Sequence, residues 1–268
     1  MVSFHHFSDF NRDSSDPLFL PSHVRPNELT ITLLTPGTLI MTSYLTLSEI
    51  PTLTQLYRSN ILKPRTNISA TPLQSLNDIL SHIRHDITKL EVGCIVNAAN
   101  NSLLGGGGVD GSIHRAAGPD LYEECLTLGG CDTGDAKMTD GYELPAKKVA
   151  HAVGPIYWKL DHDEAEKHLR SCYRRSLELA VEHEQRSIAF AAISTGIYGY
   201  PHREAATTAI DEVGRFLRKG DNISKFDRVI FCSFMPVDAK AYEETLPSSF
   251  PPTAEDLAAV TEEDQGQT

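Results

Sequence analysis

A chain of 268 residues with 40% hydrophobic content can bury one substantial core and still carry appendages. Its formal net charge of -12 excludes a surface built to grip nucleic-acid phosphates, and no stretch approaches the ~18 consecutive apolar residues of a membrane span. Five cysteines, an odd number with no CxxC pair, supply neither a disulfide nor a zinc framework. The start Met1-Val2-Ser3-Phe4-His5-His6 lacks the charged-then-apolar pattern of a secretion signal. These features predict an intracellular protein of the cytoplasm and/or nucleus, monomeric, with no membrane partner and no direct nucleic-acid partner.

Residues 1–77 read as an N-terminal extension punctuated by Pro17, Pro21, Pro26, Pro36, Pro51, Pro64 and Pro72. A short helix after Pro51 presents Leu53, Leu56 and Tyr57 on one side, and it is too short to persist unless docked. From Asp78 the pattern changes. Ile79 to Ile87 mostly alternates, as a half-exposed strand does, and Cys94-Ile95-Val96 and Lys148 to Val153 follow as strands. Ile188 to Ile193 and Val229 to Phe234 are continuous apolar runs that predict buried central strands.

Helices separate these strands. Glu164 to Glu182 carries Leu169, Tyr173, Leu177 and Val181 at a spacing of four, and Arg203 to Leu217 repeats the theme with Ala206, Ile210, Val213 and Leu217. Strands alternating with helices predict a three-layer α/β/α sandwich over residues 78–247. Residues 248–268, rich in Glu255, Asp256, Glu262, Glu263 and Asp264, read as an acidic, disordered tail.

Gly105, Gly106, Gly107 and Gly108 stand in a row after the Cys94-Ile95-Val96 strand and before a helix-compatible stretch, Ser112 to Ala117. Strand, glycine loop and helix start make an anion site, because loop amides and the positive helix end point at one spot. Asparagines and Asp110 frame that spot, which suggests a phosphate-bearing ligand beside a single carboxylate. A second loop, Ser194-Thr195-Gly196-Ile197-Tyr198-Gly199, leaves another strand end; its glycines permit close backbone approach and its hydroxyls offer donors. Ligands of open α/β sheets bind outside the carboxyl ends of the strands, so the two loops are expected to face each other. Neither loop is a P-loop or a dinucleotide fingerprint.

Plainer roles stand beside these. Asp110 could cap a helix starting at Gly111, Asn100 could satisfy loop backbone groups, and Tyr198 and Phe234 could be core or rim aromatics. His114, His151, His162 and His202 fall in no ligand-type spacing, and Cys125 and Cys131 read as small core residues. No metal and no cofactor are expected.

The motifs His85-Asp86-Ile87-Thr88, Val96 to Gly118, Gly130-Cys131-Asp132-Thr133-Gly134, Leu144-Pro145-Ala146-Lys147, Val153-Gly154-Pro155 and Ile193 to Tyr200 resemble the MacroD-type macrodomains. The resemblance runs from about Ile83 to Leu246. It implies a mixed central sheet between helical layers, and a protein that binds ADP-ribose and hydrolyses its derivatives. By position it gives Asp86 and Ile87 the adenine amino group, Gly105, Gly106, Gly107, Gly108 and Val109 the pyrophosphate and distal ribose, and it counts Ala99 among the ADP-ribose contacts. Ser194, Thr195, Gly196, Ile197, Tyr198 and Gly199 would clamp the diphosphate from the other side, and Phe234 would pack on the adenosine. Asn100 and Asp110 match the catalytic pair. His85 replaces a family glycine, which would strain the adenine end if the position required positive φ.

The implied activity is removal of mono-ADP-ribose from Asp or Glu side chains of modified proteins, with deacetylation of O-acetyl-ADP-ribose as a companion reaction. The alternatives are a non-catalytic reader of ADP-ribosylated proteins and an ADP-ribose 1″-phosphate phosphatase.

Overall fold

Apolar runs too continuous for a half-exposed strand need cover on both faces, and here they receive it. The computed structural model describes residues 30–33, 39–42, 44–66 and 70–265, and the chain divides into two compact units between Ser43 and Tyr44. In the first unit β1 (Thr30–Leu33) pairs antiparallel with β2 (Leu39–Thr42).

The second unit opens with β3 (Leu45–Thr46) and helix α1 (Leu53–Arg58). Thr52 and Gln55 start α1 with a reciprocal capping box, side chain to backbone in both directions. Helix α2 (Gln74–Asn77) leads into β4 (Leu80–Arg84), and β5 (Leu90–Glu91) pairs parallel with β3. Next come β6 (Cys94–Ala99), α3 (Gly108–Ala117), α4 (Pro119–Thr127), β7 (Ala136–Asp140) and β8 (Lys148–Val153). The chain continues through α5 (His162–Glu182), β9 (Ser187–Phe190), α6 (His202–Leu217), β10 (Arg228–Ser233), α7 (Pro236–Ser249) and α8 (Ala254–Gln265).

Six strands form the central sheet in the order β4-β10-β9-β6-β8-β7. All neighbours are parallel except β7, which runs antiparallel to β8. Alternate residues along each strand point to opposite layers. Cys94, Val96, Phe190 and Phe231 join the core under α1, α5, α6 and α7, while Ile95, Val149, Val153 and Ile230 join the core under α3 and α4. The sandwich is therefore three-layered with a mixed sheet, as the resemblance implies. Among the described residues no helix is long and apolar enough to cross a membrane, and all five cysteines are free and buried.

Two expected boundaries move. The compact unit begins at Tyr44 rather than 78, because Leu53, Leu56, Tyr57, Leu62 and Leu76 are core residues. The tail expected to be disordered from 248 instead carries α8. Phe250, Pro251 and Pro252 are buried, the Tyr57 hydroxyl donates to the Phe250 carbonyl at 2.8 Å, and Asn77 Nδ2 donates to the Pro251 carbonyl at 2.9 Å. Thr253 and Asp256 then cap α8 reciprocally: the Asp256 amide donates to Thr253 Oγ1 at 3.3 Å, and the Thr253 amide to Asp256 Oδ2 at 3.1 Å. Arg58 Nε completes the anchor at 3.0 Å from Asp256 Oδ1.

Candidate active site

The parallel strands all end on one side, and the turns that follow β4, β9, β6 and β10 gather there. The glycine loop leaves β6 and enters α3 directly: the helix begins at Gly108, four residues before the predicted stretch, inside the glycine run itself. Gly107 at its N-cap makes no side-chain capping bond, so the first-turn amides and the positive helix end face the exposed loop. Only glycine fits at 111, since a Cβ there would lie 2.2 Å from the Gly106 carbonyl oxygen. That contact folds the loop back over α3.

Asp110 sits in the first turn of α3 rather than ahead of it, so it does not cap the helix. It is 3% exposed. Asn97 Nδ2 donates to its Oδ1 at 2.7 Å, and Asn100 Nδ2 lies 3.4 Å from its Oδ2. Asn100 is itself held on three sides: Nδ2 donates to the Gly105 carbonyl at 2.9 Å, and Oδ1 accepts from the Ser102 amide at 2.9 Å and hydroxyl at 2.6 Å. His114 Nε2 lies 3.6 Å from Asp110 Oδ1, one turn along the helix. Burial raises the Asp110 pKa, and the Asn97 hydrogen bond and His114 pull against that rise. The result is a partly desolvated carboxylate with one oxygen held tightly and one held loosely.

The second loop meets the first. Ile197 Cδ1 stands 3.4 Å from where a Cβ on Gly107 would be, and the charge of Asp110 helps burial to raise the Tyr198 phenol. The loop is tied by Tyr200 N to Ser194 O at 2.9 Å and Gly199 N to Gly196 O at 3.0 Å. Ser194 adopts a φ of 66°, a left-handed conformation uncommon outside glycine. The hydroxyls predicted as ligand donors turn inward: Thr195 Oγ1 donates to the Ala192 carbonyl at 3.4 Å, and Ser194 Oγ is buried at the spot a Cβ on Gly154 would fill. This loop presents backbone and Ile197, which is 75% exposed.

At the far end, Asp86 Oδ1 accepts from the Thr88 amide at 3.0 Å and hydroxyl at 2.8 Å, which places Ile87 at the start of a 3-10 turn. Phe234 follows β10 and is 68% exposed. The His85 amide donates to the Ser233 carbonyl at 2.9 Å. His85 is absent from the positive-φ residues, so the substitution at this position carries no backbone strain.

The structure thus sets Ala99, Asn100, Gly105 to Asp110 and Ser194 to Gly199 at the ends of β6 and β9, neighbours in the sheet, with Asp86, Ile87 and Phe234 after the neighbouring strands β4 and β10. Asn97, His151 and Thr139 were not predicted. For Asn97 and His151 the signal was there, since a polar residue inside a buried strand must find partners; Thr139 lies in the largely polar β7 and gave none. The His114, Cys125 and His151 ligand atoms also lie within 4.8 Å of one another, the one such grouping among the described residues. Spacing missed it because its members come from α3, α4 and β8. Both ring nitrogens of His151 are already hydrogen-bonded, to Asn97 Nδ2 at 3.1 Å and to Thr139 Oγ1 at 2.9 Å, so a metal there would have to break those bonds.

A three-layer sandwich whose parallel strand ends carry a glycine loop and a second loop close to it, beside one buried carboxylate, has the layout of an α/β ligand-binding domain. The chain belongs to the Macro domain family. The family's model matches residues 96–209. The rat ADP-ribose glycohydrolase MACROD1 is 53% identical over 178 residues, covering 66% of this chain and 68% of that protein. A macro domain-containing protein from Chlorobaculum tepidum is 56% identical over 170 residues, 63% of this chain and 96% of its own length. The Xenopus laevis ADP-ribose glycohydrolase MACROD2 is 51% identical over 209 residues, and the match spans 50% of that longer protein. Among solved structures, the Trypanosoma brucei macrodomain in complex with ADP-ribose superposes with a TM-score of 0.62 at 38% identity, covering 75% of this chain and 76% of that one.

Proposed function

We propose that this chain binds ADP-ribose and hydrolyses the ester joining mono-ADP-ribose to Asp or Glu side chains of modified proteins, and that it deacetylates O-acetyl-ADP-ribose at the same site. The observation that carries the reading is the Asp110 carboxylate: buried, held by Asn97 through Oδ1, with Oδ2 beside Asn100 and the open loop. A pocket that only reads ADP-ribose needs the amide loops and gains nothing from burying an ionisable carboxylate, which costs desolvation free energy. The names of the rat and frog relatives, both ADP-ribose glycohydrolases, support the same choice.

In the proposed reaction the two loops hold the diphosphate through backbone amides, which suits an acidic chain. Asp86 and Phe234 take the adenosine, and Asn100 fixes a hydroxyl of the distal ribose. A water attacks the anomeric carbon, its proton passes to Asp110 Oδ2, and the bond to the protein's carboxyl oxygen breaks. The leaving group departs as a carboxylate and needs no general acid, so one base suffices where glycosidases use two carboxyls. Positioned base assistance is worth about 10²–10⁴-fold. An arginine-linked adduct, whose leaving group needs a proton, is expected to resist.

The test is release of ADP-ribose from a glutamate-linked mono-ADP-ribosylated protein by wild type, Asp110→Ala and Asn100→Ala, each also titrated calorimetrically with ADP-ribose. Turnover that collapses in variants still binding ADP-ribose supports the reading. Tight binding by wild type without turnover would make the protein a reader.

A further inference from the structure

Beneath Asp110 a line of side chains runs along the sheet, and its hydrogen bonds fit one placement of the protons. The Thr139 hydroxyl donates to the Asp140 carbonyl at 3.1 Å, so its oxygen must accept from His151 Nε2, 2.9 Å away. The His151 proton is therefore on Nε2, and Nδ1 accepts from Asn97 Nδ2 at 3.1 Å. The other Asn97 amide hydrogen goes to Asp110 Oδ1 at 2.7 Å. Sheet register builds the line: Asn97 and His151 are paired across β6 and β8, on the face covered by α3 and α4. Asn97 keeps this orientation although its Oδ1 is buried without a partner. Turned over, that oxygen would press against the Asp110 carboxylate.

We infer that His151, locked by Thr139 as its Nε2–H tautomer, is a positioning residue that orients the Asn97 amide so that Asp110 Oδ1 is held and Oδ2 is left for the reacting proton. The inference rests on the hydrolase reading above. Burial and His114 keep His151 neutral, lowering its pKa to about 3. The groups facing the line are His114 from α3, with its ring 6.0 Å from that of His151, Cys125 from α4, with Sγ 3.7 Å from His151 Nε2, and Tyr198 from the loop after β9. Burial pushes the Cys125 thiol up to about 12, so it stays protonated and adds no charge.

Thr139→Val keeps the shape and removes the oxygen that accepts from Nε2–H, on β7 at the sheet edge rather than on either loop. His151 can then move its proton to Nδ1, which faces the Asn97 amino group and drives that amide to turn. The expected result is a kcat lower by about tenfold to a hundredfold, the scale of a misplaced reacting group, with KM and the ADP-ribose Kd unchanged. The acid limb of the pH profile should move to higher pH, and Thr139→Ser should recover most of the rate.

NMR of the imidazole nitrogens reads the His151 tautomer, and carboxyl-carbon NMR reads the Asp110 titration, both without substrate. Nε2–H in wild type, lost in Thr139→Val together with a raised Asp110 titration, supports the inference. Nδ1–H in wild type overturns it, as does a Thr139→Val protein with the wild-type rate and pH profile. Absence of turnover in wild type would instead strike the hydrolase reading, while the two spectra would still decide the positioning role.

Discussion

Ile197 Cδ1 and the place a Cβ on Gly107 would take are 3.4 Å apart, which is ordinary contact distance between the glycine loop and the loop after β9. One residue earlier the geometry differs. A Cβ on Gly106 would stand 3.3 Å from both Asn100 Nδ2 and Asp110 Oδ2. Gly107 has an extended backbone, φ -92° and ψ 173°, so alanine fits there without strain and only narrows the gap. Gly107→Ala should raise KM, whereas Gly106→Ala should lower kcat by up to about 10²-fold. Steady-state kinetics on both variants reads the split, and equal effects on both parameters would contradict it.

As the proposed base, Asp110 would make hydrolysis depend on pH in a defined direction. Its pKa is raised by burial above the ordinary value near 3.9, and the base must be ionised to work, so kcat/KM should fall as pH drops through that raised value. For stability the sign reverses. The folded state holds the proton more tightly than the unfolded chain, so stability is lost as pH rises through the folded pKa, and the ionised carboxylate is a net cost at neutral pH. Asp110→Asn should therefore abolish hydrolysis while melting no lower than wild type at pH 7. A clear fall in its melting temperature would contradict this.

Two buried histidines predict the acid behaviour. Burial lowers His82 to about 4, and burial with His114 lowers His151 to about 3. The unfolded chain binds these protons near the ordinary 6.5, so stability present above pH ~6.5 is lost as pH falls towards the folded values. Each histidine contributes a slope of at most about 1.4 kcal/mol per pH unit. Melting temperature should drop between pH 7 and 5, and His82→Gln, which cannot take up that proton, should flatten the drop. An unchanged slope in that variant would remove His82 from the account.

Both flanking segments of the second unit belong to its fold. Deleting residues 1–77 would take Leu53, Leu56, Tyr57, Leu62 and Leu76 from the core. At about 2–5 kcal/mol for each large side chain, the loss of about 10–25 kcal/mol matches or exceeds a typical total of about 5–15 kcal/mol, so the truncated chain should be largely unfolded. Thr253→Ala, which removes one half of the α8 cap, should cost only about 1 kcal/mol, or roughly 2–4 °C. Circular dichroism on both variants is the check.

The parts that the sequence disclosed are those where one physical requirement dominates. Lys148 to Val153 is strand over the predicted residues, since Val149, Ala150, Ala152 and Val153 need burial on both faces of the sheet. Polar residues hid the rest. Strand β7 carries Lys137 and Thr139 and lies at the end of the sheet, so its pattern is weak. Thr253 and Asp256 spell a capping box, but the acidic count around them suggested solvated tail. Asn97 and His151 sit at apolar positions of β6 and β8, where periodicity alone treats a polar residue as noise. The left-handed φ of Ser194 has no composition signal at all.

The strand order carries one more consequence. The segment matched by the family, residues 96–209, contains β7, β8, β9 and most of β6, but neither β4 nor β10, and β10 is the strand that separates β4 from β9. Excised at those limits, β9 would face water with a row of unpaired amides and carbonyls, an invitation to sticky edge-to-edge association between copies. The stretch that bears the recognisable chemistry is therefore shorter than the piece that can be transplanted into another polypeptide and stay soluble.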